Sequence, residues 1–296
     1  MNSNRHEVAF VEAVFALRIM QLEATHAPDP VGAQQRYRTV VVGGQALLGH
    51  ADALASVSDY LALCDILCDS ESVLNQHADA LWHAKLACAV VDGLDEREKR
   101  PDKLEIRSYH FNMLRMQGVA YGNLKDYRSA LRILKEAEGI GTSLLEPGWM
   151  VLLQRDKIIM LARMTRFSIG EVNACADRAQ TLCDHSWMLY PDLLMLLVNQ
   201  SVAEANIHRG NYRGAQRHLQ KYEHQLERVH GIGPLHKVIF LRTCAQFCLA
   251  TGDEGGSIHH VQRAYQLALQ AGLKHQQSEI ESDFNAAGRS DLIQVS

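Results

Sequence analysis

Proline is scarce in this sequence, with six in 296 residues, so long helices meet few breakers. Positive charge is not in excess. Thirty Lys and Arg stand against 34 Asp and Glu, for a net charge of −4 and a pI near 6.4. A nucleic-acid binder carries a basic stripe, and the longest charge run, Asp95-Glu-Arg-Glu-Lys-Arg100, is mixed. It reads as a solvated loop closed by Pro101, and direct nucleic-acid contact is not expected. No apolar run approaches the ~18 residues that span a bilayer. Met188–Val198 is apolar but short, and Pro191-Asp192 interrupts it, so no membrane partner is expected.

Catalytic patterns are missing too. Thr39-Val-Val-Val42 before Gly43-Gly44 hints at a strand and phosphate loop, but the Gly-x4-Gly-Lys-Ser/Thr pattern is absent. No nucleophile elbow or Ser/His/Asp order appears, and the chain is not expected to be an enzyme. The seven cysteines are an odd number without a disulfide framework. They read as reduced, buried core residues of a cytoplasmic protein, and Met1–Arg5 leads straight into a helix with no secretory signal. Cys64/Cys68 and Cys244/Cys248 lie one helical turn apart, without further zinc ligands. Of the 15 histidines, His26 and His230 form Glu-x2-His pairs with Glu23 and Glu227. Both pairs fall at helix ends, where an imidazole complements the dipole. No metal or other cofactor is expected.

What is present is helical periodicity. The first helix spans about 5–25, with Val8, Val11, Phe15, Ile19 and Leu22 at spacings of three and four. Phe10, Val14 and Leu17 make it apolar nearly all round, so it needs cover on both sides. Helices two and three can supply that cover. A second copy of the chain can also supply it, through a homodimer seam. Further helices are expected over about 32–49, 51–68 and 72–91, the last two split at Asp69-Ser70-Glu71. The 92–102 segment is a connection.

From Asp102 a pattern recurs. Ala130, Val172, Ala215 and Ser257 stand 42, 43 and 42 residues apart. Four residues on lie Leu134, Ala176, Leu219 and Val261, then Ala137, Ala179, Tyr222 and Ala264. Twelve residues upstream of the first column lie Gly118, Met160, Ala203 and Ala245. A period in this range marks stacked helix pairs. First helices are expected over about 103–124, 148–166, 191–209 and 234–251. Second helices follow over about 126–141, 169–184, 212–230 and 254–271. Turns fall at Gly122-Asn123, Gly210-Asn211 and Gly252-Asp253. Small residues at fixed points let paired helices close to the usual 8–10 Å. The segment 274–296 reads as a polar, fraying tail with an apolar patch at Leu292-Ile293.

Gly118-x2-Tyr121-x5-Tyr127-x2-Ala130-x3-Leu134-x2-Ala137 resembles a tetratricopeptide repeat. Gly210-x-Tyr212-x2-Ala215-x3-Leu219 matches its second half. Gly252-Asp253-x3-Ser257-x3-Val261-x2-Ala264 matches more loosely, and the copy at 160–179 is degenerate. The longer period resembles sensor domains of bacterial transcription regulators and peptide-pheromone receptors. The resemblance covers about 105–271. It implies an all-α, right-handed superhelix of antiparallel helix pairs, with 5–92 as divergent pairs of the same single domain. It also implies peptide or protein recognition without chemistry, by an adaptor or sensor. The alternative is a regulatory module of a bacterial transcription or signalling system that lacks its own helix-turn-helix.

In that repeat type the first helices line a concave groove. The lining columns are Arg115, Lys157, Gln200, Arg242; then Asn112, Gln154, Leu197, Ile239; then Val119, Leu161, Glu204, Gln246. The groove candidates are Asn112, Arg115, Gln154, Lys157, Gln200, Glu204, Arg242 and Gln246. A row of cations beside amides suits an extended, acidic protein or peptide segment.

Overall fold

The computed structural model describes residues 2–25, 30–51, 56–94, 104–141, 147–185, 191–229, 233–286 and 288. Among them there are thirteen helices and no strand. The chain divides into two compact units, Met1–Leu145 and Glu146–Ser296.

The first unit holds α1 (Asn2–Thr25), α2 (Pro30–Ala51), α3 (Val57–Val73), α4 (His77–Gly93), α5 (Leu104–Asn123) and α6 (Tyr127–Gly141). Each odd helix packs on the even helix that follows it, and α3 packs on both α1 and α5. The second unit holds α7 (Pro147–Arg163), α8 (Ile169–His185), α9 (Pro191–His208), α10 (Tyr212–Arg228), α11 (Pro234–Thr251), α12 (Glu254–Gln270) and α13 (Lys274–Ala286). Here α9 packs on α7 and α11, and α13 packs on α11 and α12. This is an all-α helical-repeat solenoid fold.

The repeat columns are core. Ala130, Leu134, Ala137, Val172, Ala179, Ala203, Ala215, Ala245, Val261 and Ala264 are each fully buried. Gly118 shows why one position must be small. A Cβ there would sit 2.6 Å from Leu134, so α5 and α6 meet at that point. Ser257 fills its column and donates its hydroxyl to Ala245 O at 3.0 Å. Gly44, in the segment that hinted at a phosphate loop, lies inside α2 and faces Leu67 of α3.

One turn recurs. Asn75, Lys125, Gly210, Gly252 and Gly272 all have φ between 60° and 81°. In each, the next residue's amide reaches back to a carbonyl five positions earlier. The bonds are Gln76 to Glu71, Asp126 to Tyr121, Asn211 to Asn206, Asp253 to Cys248 and Leu273 to Ala268, at 2.8–2.9 Å. This is the Schellman closure of a helix C-terminus. Its occurrence between α3 and α4 makes that pair a fifth copy. Cys68, Ala80, Ala84 and Ala87 occupy the places of Gly118, Ala130, Leu134 and Ala137, and all four are buried. The long 92–102 connection stretches the interval to 50 residues and hides this copy from a 42-residue search.

Three expectations are corrected. The split at Asp69-Ser70-Glu71 lies inside α3, where Ser70 and Glu71 are fully buried. That helix starts later because Ser56 caps it, accepting from the Asp59 amide, and it ends at the Asn75 turn. The polar tail from Lys274 is instead a helix as far as Ala286. Ile280 and Phe284, four residues apart, are buried in the core formed by α11 and α12. Not all cysteines are fully buried, since Cys183, Cys244 and Cys248 are half-buried. His26, His230, Leu292-Ile293 and the 95–101 charge run lie outside the described residues.

Candidate functional site

In the first unit the expected groove residues Asn112 and Arg115 belong to a polar network across α1, α3 and α5. Asp65 of α3 is buried. Its two carboxylate oxygens accept from Arg18 Nη2 and from Asn112 Nδ2, each at 2.5 Å. Arg115 Nη1 donates to Asn112 Oδ1 at 3.1 Å, and Arg18 Nη1 to Gln21 Oε1 at 2.8 Å. Asp69, one turn further along α3, is contacted by Gln21 Nε2. Burial and the nearby Asp65 charge raise the Asp69 carboxyl to about 6, against the pull of Arg115 and Arg18. One side of the Arg115 guanidinium is thus already committed to the amide that Asp65 holds. A charge reversal at Arg115 would place an acid beside two others.

The second unit carries the other candidates. Gln154 is buried, while Lys157, Gln200, Arg242 and Gln246 are half-buried. Gln200 Nε2 donates to Glu204 Oε1 at 2.7 Å. Burial raises the Glu204 carboxyl, offset in part by that hydrogen bond and by Arg242, His208 and Arg155. Arg242 is gripped by α13, with Nε at 2.6 Å from Asp283 Oδ2 and Nη1 at 2.7 Å from Glu279 Oε2. Gln246 Nε2 donates to the same Asp283 oxygen at 2.6 Å. Burial opposes the Arg242 charge, but Asp283 and Glu279 more than offset it and raise its pKa. Two buried nitrogens, Arg155 Nε and His236 Nδ1, have no hydrogen-bond partner among the described residues.

The structure therefore brings Asn112 and Arg115 together in one unit. In the other it joins Gln200 to Glu204, and Arg242 to Gln246 through Asp283. Periodicity set these residues in columns on α5, α7, α9 and α11. It did not identify the acids that meet those columns, because Asp65 lies in the copy hidden by the longer interval and Asp283 in the segment taken for a tail.

A further cluster escaped the sequence reading. Glu71 accepts from Gln45 Nε2 at 3.3 Å and pairs with His83 Nδ1 at 2.7 Å, both partners of that pair being almost fully buried. His83 also lines an open cavity of about 570 Å³ with Gln45, Leu48, Tyr60, Asp79 and Trp82. Glu71 of α3 and His83 of α4 face each other across the Asn75 turn, twelve residues apart, and a split at residues 69–71 leaves that turn unmarked in the sequence. A second cavity, about 420 Å³, lies where α8, α9 and α10 meet, beside Asn199, His224 and Arg228. Among the described residues no group of three or more His, Cys, Asp or Glu could hold a metal. No described helix is long and apolar enough to cross a membrane.

No family model matches the chain, and no curated protein matches it by sequence. The crystal structure of BtubC (BKLC) from P. vanneervenii does match, with a TM-score of 0.53. The two share a fold. The likeness covers 91% of this chain and 92% of that one, at 12% sequence identity. At that identity it carries architecture alone.

Proposed function

We propose that the chain is a non-enzymatic, tetratricopeptide-like adaptor or sensor. It captures an acidic segment of another protein on the first helices of the second unit, α7, α9 and α11. The observation that carries this reading is α13. An acidic, amphipathic helix of the chain itself is held on Arg242 and Gln246, two of the positions that periodicity assigns to ligand contact. Charge-assisted bonds from a guanidinium fork to two carboxylates are strong and orientation-specific. A partner helix with acids three to four residues apart beside apolar anchors would offer the same groups. Lys157 and Gln200 on neighbouring helices extend the polar row, and the orphaned Arg155 Nε and His236 Nδ1 are buried donor and acceptor sites that a ligand or water could satisfy.

The test uses a fluorescein-labelled peptide of residues 274–286 as probe. In the full chain carrying Asp283→Lys, the resident α13 no longer satisfies Arg242, so fluorescence anisotropy should report tighter peptide binding than in the parent. Adding Arg242→Glu should abolish it. Absence of binding to both the parent and the Asp283→Lys chain would overturn the reading.

A further inference from the structure

The helix α1 has two apolar faces, and the described residues of the chain bury one of them. Phe10, Val14 and Leu17 are buried with Val40, Leu63, Ile66 and Leu67. On another side Val8 (56%), Val11 (42%), Phe15 (67%), Ile19 (41%) and Leu22 (48%) remain exposed. At about 100° per residue these five fall within roughly 80° of the helix circumference, and they run about 21 Å along it. A stripe so narrow is the seam of a single helix–helix contact rather than the broad face of a helix on a core.

The order of the stripe identifies what covers it. Its intervals are three, four, four and three residues, the same read from either end, with Phe15 at the centre. A two-fold axis through Phe15 sets Val8 against Leu22 of a second copy, Val11 against Ile19, and Phe15 against Phe15. Self-complementarity of this kind is the requirement of an isologous interface, in which residue i meets j and j meets i. A foreign partner imposes no such palindrome. Among the described residues, the exposed charges beside the stripe are Glu12 and Glu23, about 20° and 40° outside its edge and so at the flank of the seam.

Size bounds the strength of this contact. The exposed fractions amount to roughly 400 Å² of apolar surface per copy, against ~800 Å² per partner in a standard interface. The stripe thus supplies about half of such an interface and makes a dimer that dissociates on dilution. As free surface it lies within the ~300–600 Å² of the largest apolar patch on a typical monomer, so the order of the stripe, not its size, assigns the occupant.

We infer that the chain forms an antiparallel homodimer through α1, with the two-fold axis at Phe15. This stands independently of the peptide-binding reading, because no residue of the second unit takes part.

Sedimentation equilibrium of the full chain should show a concentration-dependent dimer. Phe15→Glu should make it monomeric at every concentration with an unchanged circular dichroism spectrum, since Phe15 supports no core. Oxidative cross-linking checks the register. Phe15→Cys should link to itself, and Val8→Cys should link to Leu22→Cys in a mixture but not to itself. The native thiols of the parent chain set the background. A chain that is monomeric throughout, a dimer indifferent to Phe15→Glu, or efficient self-linking of Val8→Cys would each overturn the inference.

Discussion

Asn112 Nδ2 lies 2.5 Å from Asp65 Oδ1, and the two residues are 47 positions apart in the chain. Arg18 approaches the other oxygen of the same carboxylate, again across 47 positions. The separation is close to one repeat, so successive first helices in this unit are stitched together by residues that stand about one helical turn apart in the repeat register. The second unit repeats the device between Arg242 and Asp283, 41 positions apart. Positions that a sequence alignment assigns to ligand contact also hold neighbouring repeats to each other.

Asp65 carries the greater part of that stitching in the first unit. Its removal in Asp65→Ala leaves a guanidinium and a buried amide without their acceptor. Breaking a buried ion pair from one side costs about 3–5 kcal/mol, and with Arg18 30% exposed the loss here falls at or below the lower end of that range. Urea unfolding of the full chain should show early loss of helicity in this variant. A midpoint equal to the parent's would mean that water replaces the carboxylate without penalty.

The tight contact between α5 and α6 predicts a second loss. Because a Cβ at position 118 would stand 2.6 Å from Leu134, Gly118→Val must push the two helices apart or drive Leu134 off its rotamer. Overpacking of this kind costs about 1–3 kcal/mol. Thermal melting should fall accordingly, and Gly118→Val combined with Leu134→Ala should recover part of it. No recovery would place the strain in the backbone rather than at Leu134.

These contacts also show where the sequence was legible. The eight helices from Leu104 to Gln270 follow from 3.6-residue periodicity, and glycine marks the turns at Gly210 and Gly252, whereas the α5–α6 turn falls at Lys125 and the expected Gly122-Asn123 turn is the last turn of α5. The α3–α4 copy was not legible. Its left-handed turn residue is Asn75 rather than glycine, and its spacing to the next copy is 50 residues rather than 42. The helix α13 was missed for a different reason. Only Ile280 and Phe284 anchor it apolarly, and a window dominated by Gln, Glu, Ser and Asp averages to a tail. The charges that the groove columns meet come from those two unseen elements. A row of cations read without its acids looks freer than it is.

Two titrating groups give the units opposite responses to pH. In the second unit, burial lowers His218 from 6.5 to about 4, helped by Lys221 and Arg217. Its Nδ1 sits 2.8 Å from Asn199 Oδ1. The folded state resists a proton that the unfolded state accepts below 6.5, so this contribution is lost as pH falls from about 6.5 to about 4. In the first unit Asp69 is raised from 3.8 to about 6. The folded state there favours the protonated acid, so its contribution is present at low pH and lost as pH rises from about 4 through about 6. Urea midpoints should respond less steeply to acid in His218→Gln. At pH 7.5, Asp69→Asn should be more stable than the parent, by up to about 3 kcal/mol. Parallel pH profiles for parent and variants would assign the slope to other groups.

The hold on α13 can be divided between its polar and apolar contacts. Arg242 and Gln246 bind Asp283 and Glu279, Tyr265 donates to Glu281 Oε1 at 2.9 Å, and Ile280 with Phe284 fills the core beside α11 and α12. The ion pairs are partly exposed, with Arg242 at 20% and its acids at 35% and 29%, so screening limits what they contribute. Their loss in Arg242→Ala should cost about 1–2 kcal/mol, toward the upper end for partly exposed pairs in a network. In hydrogen exchange this appears as roughly ten-fold faster opening of the α13 amides, with those of α11 unchanged. Phe284→Ala removes a fully buried ring and should cost about 3–5 kcal/mol, enough to release the helix altogether. The expected order is therefore intact protection in the parent, faster local exchange in Arg242→Ala, and loss of α13 protection in Phe284→Ala. If Arg242→Ala exchanges like the parent, apolar packing alone seats the helix, and an acidic competitor would gain nothing from displacing it.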